Sequence, residues 1–440
     1  MKLVKSIAVM GMGYVGLTLA VVLAKRGFRV FGIEINADVV ADLQAGKPHF
    51  QEKGLPQLLQ HEQSTGRLSI HTALPDEEID AYIISVGTPL VKGQQEPNID
   101  YIQNVLRDVA NHMQQDALVV LRSTVPVGLS RSIALPVLEE HSKLKAGEGF
   151  SFVFAPERTI EGKAIIELES NSQIIGGYDE KSVTVATDLF RKITPTILVV
   201  SSIEAAEMVK LIDNSYRDIR FAYANEIAMV CEQLNLDATE LVNAANTHYP
   251  RNNVPVPSPG VGGACLSKDP HILYDFSSKA GYKPELIKHG RVVNEYIPIQ
   301  MVARIKKHLA AVGKDIASAK VFLVGFAFKG QPETSDLRDS TSLWFLDALQ
   351  KEVTTVYGYD PVVARNEIEK LGVTVTSIEE GCADADVVVF LNNHASYKDL
   401  DPFKLCRSMK KPSIFYDAWR MFEKSMFDEI DNVTYMGVGT

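Results

Sequence analysis

The sequence predicts an α/β fold in which two doubly wound sheet domains are joined by a central helical domain with one long spine helix. Three observations carry that expectation. An apolar run, a glycine turn and a helical pattern open the chain; the stretch from Ile203 to Asn235 holds neither Gly nor Pro; and strand-helix alternation restarts beyond Gly313. At 440 residues the chain exceeds the size at which single cores stop growing, so two or three domains are expected. The boundaries read from these shifts are 1–200, 201–312 and 313–440.

Residues Ser6 to Met10 form an apolar strand, followed by Gly11-Met12-Gly13-Tyr14-Val15-Gly16 and a helical pattern through Leu17, Ala20, Val21 and Leu23. Phe28 to Ile33 reads as a second strand ending at Glu34. Ala81 to Val86, Ala117 to Leu121, Phe152 to Ala155 and the stretch around Ile174 and Ile175 are further buried-type strands. Apolar runs alternating with helical stretches indicate a parallel, Rossmann-like sheet covered on both faces.

In the middle third, Met208, Leu211, Ile212, Ser215, Ile219 and Ala222 recur at helical spacing, which predicts one helix over Ile203 to Asn235. A second long helix follows Pro284 and runs to about Ala311, and Tyr249 to Pro270, crowded with Pro, Gly and Asn, is loop. Val321 to Gly325, Val353 to Tyr359, Ala385 to Leu391 and Ile414 to Tyr416 then supply strands for a second, shorter Rossmann-like sheet. Ligands of such sheets lie beyond the carboxyl ends of the strands.

With 46% hydrophobic and 23% charged residues and no low-complexity tract, the chain is expected to be folded throughout. Its net charge of −10 argues against nucleic acid or an anionic membrane as a partner. Cys231, Cys265, Cys382 and Cys406 are far apart and lack metal-type spacing, so no metal is expected and they read as reduced thiols. The absence of a cationic-then-apolar leader, or of an apolar run approaching about 20 residues, leads to the expectation of a cytoplasmic protein.

The glycine triplet follows a strand, opens a helix and is trailed 18 residues after Gly16 by Glu34 at the end of the next strand. In that context Gly11 permits the tight turn, Gly13 the approach of a pyrophosphate and Gly16 close helix packing; the competing reading is a ligand-free turn. Glu34 would accept hydrogen bonds from an adenosine ribose, and Ile35-Asn36 offers no cation for a 2′-phosphate, so NAD is expected rather than NADP. Thr88, in Val86-Gly87-Thr88-Pro89, and Thr124, in Ser123-Thr124-Val125-Pro126, would lie along the same crevice, although turn chemistry alone also explains a Thr-Pro pair.

Cys265 sits in Gly260-Val261-Gly262-Gly263-Ala264-Cys265-Leu266-Ser267-Lys268-Asp269. It is either a small buried residue or a nucleophile. A dehydrogenase that oxidises an alcohol beyond the aldehyde has a use for a thiolate, because a thiohemiacetal turns the aldehyde into a hydride donor. Lys210 and Asn214 share one helical face with Phe221 and Asn225, a pattern that a solvated face would also produce. Pro156 to Gly162 places Glu157 and Glu161 in a turn, where exposed acids are also common.

Taken in order, these segments resemble the nucleotide-sugar 6-dehydrogenase family, also called the UDP-glucose/GDP-mannose dehydrogenase family. The resemblance spans nearly the whole chain. It rests on the glycine triplet, on Pro156-Glu157 through Gly162, on Lys210 and Asn214 with Asn225-Glu226, on the cysteine loop, and on Gly325-Phe326-Ala327-Phe328-Lys329 followed by Asp336-Leu337-Arg338. It implies that Gly11, Gly13, Tyr14, Val15, Gly16, Glu34, Thr88 and Thr124 hold NAD.

The same resemblance implies that Cys265 captures the C6 aldehyde of a UDP-sugar, with Lys210 and Asn214 holding the developing oxyanion. It makes Asp269 and Thr124 groups that position water, and Glu161 the base for thioester hydrolysis. A cationic Lys210 near Cys265 would depress the thiol pKa. Glu157 and Gly262 would line the sugar site, and Lys329 and Arg338 would meet the uridine diphosphate. Arg251 would reach the neighbouring subunit's site in a homodimer built on the spine helix.

Details of the sugar are mixed. His248-Tyr249-Pro250-Arg251-Asn252-Asn253, Pro259 to Gly263 and Arg158 resemble the branch that oxidises UDP-N-acetylhexosamines, with N-acetylmannosamine favoured, to supply a surface polysaccharide. Ala264-Cys265-Leu266 departs from that branch's frequent His-Cys-Ile pattern, and Lys268 and Glu161-Gly162 look more like the UDP-glucose branch, which is the alternative. Two further readings compete: a single-step oxidation of the β-hydroxyacid dehydrogenase kind, and a nucleotide-responsive binding module. The cysteine loop and the second sheet argue against the first, and Cys265, Lys210 and Asn214 together argue against the second, because binding needs no nucleophile.

Overall fold

The computed structural model describes residues 3–91 and 97–440. The chain divides into two compact units, Met1–Asp213 with His271–Tyr282, and Asn214–Pro270 with Lys283–Thr440.

The first unit holds strands β1 (Ser6–Met10), β2 (Arg29–Ile33), β3 (Leu68–His71), β4 (Ala81–Ile84), β5 (Ala117–Leu121), β6 (Phe150–Phe154), β7 (Gln173–Gly177) and β8 (Ile197–Val199). They form one sheet of order β3-β2-β1-β4-β5-β6-β7-β8. The apolar runs have a direct cause in this arrangement. Along β1, Ile7 and Val9 enter the core on one face while Ala8 and Met10 enter the core on the other, so the four positions after Ser6 are all apolar. One strand departs from the expected parallel pattern: β7 runs antiparallel to β6, pairing Gly177 with Val153 and Gly176 with Phe154.

The second unit holds β9 (Val321–Val324), β10 (Val356–Tyr359), β11 (Val373–Val375), β12 (Val387–Phe390), β13 (Ser413–Asp417) and β14 (Val433–Gly437). Their order is β11-β10-β9-β12-β13-β14, and every pairing is parallel. Predicted strand ends shift where a backbone feature intervenes. Gly325, at φ +96, ends β9 one residue early, and Val353 bonds back to Leu349 as the end of the preceding helix instead of opening β10.

The spine helix runs Ile203–Leu234 and is stopped by Asn235 in the left-handed region at φ +54. The second long helix runs Glu285–Ala311 and carries Pro298 internally. Its buried stripe, Arg291, Asn294, Pro298, Met301 and Ile305, follows alternate steps of three and four residues. The first two members of that stripe are polar.

The two sheets share a local device. Gly11 and Gly325, both at positive φ, follow the first strand of their sheet, and each donates its N–H to the last carbonyl of the second strand, Ile33 or Tyr359, at 2.8 Å. An acid follows each second strand and takes amides of the glycine turn: Glu34 from Met12 at 3.1 Å, and Asp360 from Phe326 at 2.7 Å and Ala327 at 3.2 Å. Asp360 accepts further bonds from the amides of Val362 and Val363, both at 2.9 Å, and from Asn392 Nδ2 at 3.4 Å. Among the described residues no helix is long and apolar enough to cross a membrane.

Candidate active site

In the first unit the strand ends of β1, β2, β4 and β5 gather one group of predicted residues. The helix Tyr14–Lys25 starts at Gly13, with no side-chain cap and no acid in its first turn among the described residues, so its amides and positive dipole end are available to an anion. A Cβ on Gly13 would meet no heavy atom within 4 Å, whereas one on Gly16 would sit 1.8 Å from the carbonyl oxygen of Gly11. Open space over the turn and close packing behind it fit a pyrophosphate. Tyr14 stacks on Phe50 at 4.0 Å and donates its hydroxyl to the Gln51 carbonyl at 2.6 Å.

Glu34 accepts the amides of Met12 at 3.1 Å and Asn36 at 3.0 Å. A carboxylate offers about four lone-pair sites, so two remain, which suits the two hydroxyls of a ribose. The side chain after it, Ile35, is 80% exposed and carries no charge for a 2′-phosphate. Thr88 is buried, and its hydroxyl donates to the Thr124 carbonyl at 2.8 Å, tying the ends of β4 and β5 together. These residues fit NAD.

The segment after β6 forms a second group in the same unit. Lys210, on the spine helix, donates to the Glu157 carbonyl at 2.7 Å and lies 3.2 Å from Glu157 Oε2, both side chains being about nine-tenths buried. Burial pushes the Glu157 carboxyl up, but the Lys210 ammonium, the Arg122 guanidinium and the Thr159 amide outweigh it and hold the pKa below the ordinary value. Glu161 is half-buried in the turn from Ile160 to Lys163, and the amide of Gly162 is fixed by Glu52 Oε2 at 2.7 Å. Arg122 braces the segment from β5, reaching the carbonyls of Ala155 at 3.0 Å and Pro156 at 3.4 Å. Burial pulls the guanidinium pKa down to about 10 against the pull of Glu157.

The cysteine loop belongs to the second unit. Cys265 is exposed, while Cys231, Cys382 and Cys406 are buried, so the small-buried-residue reading of Cys265 does not hold. Its carbonyl accepts from Lys268 N at 3.2 Å and Asp269 N at 2.9 Å, a turn that runs into the helix Asp269–Lys279. Asp269 is buried, with Oδ2 taking Asn214 Nδ2 at 2.5 Å and Oδ1 lying 2.9 Å from Lys268 Nζ. The face of the spine helix that could have been solvated is therefore an interior face: Lys210, Asn214 and Asn225 are all buried.

A polar network missed by the sequence reading supports the loop from below. Arg291 donates to Asp218 Oδ1 at 2.7 Å and to the Val261 carbonyl at 3.1 Å. Asn294 Nδ2 donates to Asp218 Oδ1 at 2.8 Å; its Oδ1 accepts from Asn225 Nδ2 at 3.0 Å, and Asn225 Oδ1 accepts the Ser258 amide at 2.8 Å. Burial raises the Asp218 carboxyl above its ordinary pKa, with the Arg291 charge opposing it only in part. Polar residues recurring on the apolar stripe of a helix, as Arg291 and Asn294 do, are the signal that could have revealed the network.

Lys329 is buried, 5.2 Å from the centroid of the Phe328 ring, and Arg338 is exposed with its guanidinium closed on Asp336. Arg251 is exposed, lies over the Tyr249 ring at 4.6 Å and lines a cavity of about 500 Å³ with Tyr216, Arg220, Tyr223, Glu226 and His289. Gly262 is pressed against Asp339, where a Cβ would lie 2.2 Å from the carbonyl oxygen.

Comparison with known proteins matches three consecutive segments to one family. Residues 5–194 match the NAD binding domain of the UDP-glucose/GDP-mannose dehydrogenase family, 204–296 its central domain and 322–424 its UDP binding domain. A UDP-N-acetyl-D-mannosamine dehydrogenase of Campylobacter jejuni is 34% identical, over 91% of this chain and 98% of its own. The solved structure of a UDP-D-ManNAc dehydrogenase from Pyrococcus horikoshii is 32% identical and aligns with a TM-score of 0.89 over 99% of both chains. That of a UDP-glucose dehydrogenase from Pyrobaculum islandicum is 27% identical, with a TM-score of 0.85 over 100% of this chain and 98% of its own.

Proposed function

Since this chain belongs to the UDP-glucose/GDP-mannose dehydrogenase family and is an NAD-dependent UDP-sugar dehydrogenase, we propose that it oxidises the C6 hydroxyl of UDP-N-acetylmannosamine to the uronic acid. The observation that carries the reading is the exposed Cys265 on a loop braced by buried polar residues, in a chain whose relatives act on that sugar. One turnover converts a primary alcohol, two NAD and one water into a carboxylate, two NADH and three protons. NAD, when bound at Gly11, Gly13, Tyr14, Val15, Gly16, Glu34, Thr88 and Thr124, supplies the hydride acceptor.

In this proposal Cys265 attacks the C6 aldehyde to give a thiohemiacetal, whose oxidation leaves a thioester. Lys210 and Asn214 stabilise the oxyanion, Asp269 and Thr124 orient water, and Glu161 takes the proton from the water that hydrolyses the thioester. Glu157 and Gly262 line the sugar subsite, and Lys329 and Arg338 meet the diphosphate. UDP-glucose is the second reading, supported by Lys268 beside the cysteine and by Glu161-Gly162.

The deciding experiment measures NADH yield with limiting UDP-N-acetylmannosamine, UDP-N-acetylglucosamine and UDP-glucose. Two NADH per UDP-N-acetylmannosamine, lost in Cys265→Ala with NAD binding intact, is the expected result. One NADH per sugar, or turnover that survives in Cys265→Ala, overturns the thioester route.

The chain is further read as a cytoplasmic homodimer that feeds a surface polysaccharide, its domains divided near residues 200 and 312. Tyr216, Tyr223 and Val230 recur every seven residues on the spine helix, are 60%, 54% and 50% exposed, and with Leu234 form an apolar stripe suited to a second copy. Arg251, which lines the adjoining cavity, is the residue this reading assigns to reach across. A monomer at micromolar concentration in sedimentation contradicts the dimer, and polysaccharide of unchanged uronic acid content in a deletion strain contradicts the pathway.

A further inference from the structure

The loop that carries Cys265 is held from a second direction by the segment that follows β9. The Gly263 amide donates to the Asp339 carbonyl at 2.9 Å. The Ser267 hydroxyl lies 2.8 Å from the Gly263 carbonyl and 3.1 Å from Asp339 Oδ2. A Cβ on Gly262 would fall 2.2 Å from the Asp339 carbonyl oxygen, and one on Gly263 would fall 2.6 Å from the Phe328 ring. Asp339 thus grips the loop on both sides of Cys265, through its backbone at 263 and its carboxylate at 267.

Asp339 also adjoins the cations of the nucleotide segment. Arg338 closes a fork on Asp336, and the Asp336 carbonyl accepts the Phe328 amide at 3.0 Å, so residues 328, 336 and 338 form one hydrogen-bonded unit that carries Lys329 and is followed directly in the chain by Asp339. Asp339 holds φ +50, a conformation that costs a residue other than Gly free energy and persists when its surroundings impose it. A diphosphate held by Lys329 and Arg338 would act on the residue next to Asp339.

We propose that Asp339 is a positioning residue that couples the seating of a nucleoside diphosphate on the Lys329 to Arg338 segment to the placement of the Cys265 thiol. The proposal rests on the reading of that segment as the nucleotide end of the site and of Cys265 as the nucleophile. Binding energy from the non-reacting end of a substrate is then used to orient the reacting group, which raises turnover more than it tightens binding.

The test uses the full chain with UDP alone as the probe. UDP affinity is measured by calorimetry, and the rate of Cys265 alkylation by iodoacetamide is measured by mass spectrometry with and without saturating UDP, the three buried cysteines serving as internal references. UDP is expected to change the wild-type rate by about fivefold or more. Asp339→Ala and Ser267→Ala are expected to retain UDP affinity within about twofold while losing most of that change. Asp339→Asn, which keeps an acceptor oxygen and tolerates the left-handed backbone, restores it.

Direct shielding of the thiol by UDP would persist in Asp339→Ala and Ser267→Ala, so a change that survives in both overturns the coupling. A wild-type thiol indifferent to bound UDP overturns it as well, and leaves the functional reading standing. Failure of UDP to bind the wild type overturns the functional reading and this proposal together.

Discussion

Replacing Arg291 with Met keeps an apolar stem but strips Asp218, fully buried, of its cationic partner and the Val261 carbonyl of its donor. Breaking one side of a buried ion pair costs about 3–5 kcal/mol, and an orphaned carbonyl about 1–3 kcal/mol; the two overlap, so a net loss of about 4 kcal/mol is expected. The second unit spans about 215 residues, a size at which each kcal/mol moves Tm by about 2–4 °C. Scanning calorimetry near neutral pH should therefore show its transition falling by about 12 °C.

The pH dependence supplies a second check. Asp218 has a folded pKa above its unfolded value, so the stability linked to this group is fully present below the unfolded pKa and lost as pH rises through the folded one. Loss of Arg291 raises the folded pKa further, so the deficit of the variant should shrink as pH falls toward about 5. A Tm within about 2 °C of wild type, or a deficit that grows on acidification, would refute the reasoning. Turnover should also fall by about a hundredfold as the cysteine loop shifts, and Asp218→Asn added to Arg291→Met should recover part of the stability.

Gly16→Ala drives a Cβ to within 1.8 Å of the Gly11 carbonyl oxygen, so the turn must move by more than an ångström, and NAD affinity measured by titration should fall about tenfold or more. An unchanged NAD affinity would contradict the placement of the pyrophosphate. Burial pushes the Asp417 carboxyl up to about 6, so its stabilising contribution is complete below about pH 4 and lost as pH rises through about 6, a swing of about 3 kcal/mol. The deficit of Asp417→Ala relative to wild type should accordingly be larger in acid than near neutrality, and a deficit independent of pH would contradict the shift.

How much could be read in advance depended on whether a residue's role is set by its neighbours in sequence. The central strands β5 and β12, and β1 after Ser6, are apolar at every position because both faces are covered, and each was evident as a run. Edge strands β3, β8 and β11 are short and paired on one side; Ser69, His71, Leu198, Val199 and Thr374 are half-buried or exposed, so no continuous run marks them. The NAD turn was legible because the glycines, the helix start and Glu34 follow one another along the chain. Arg122, Asp218, Arg291 and Asn294 acquire these roles through partners 30 to 76 residues away, and local spacing carries little of that. Lys210 and Asn214 lay between these cases: their common face was visible, but its burial was not.

The repeated turn geometry of the two sheets bears on how the protein divides its ligands. Both sheets place an acid after the second strand, yet the two carboxylates differ in capacity. Five donors converge on Asp360 where a carboxylate has about four lone-pair sites, so its acceptors are saturated by the chain itself. Two donors reach Glu34 among the described residues, leaving room for a ribose diol. An acid whose lone pairs are taken by its own chain has none left for a ribose, so of the two turns that of the NAD binding domain is the one suited to a cofactor ribose.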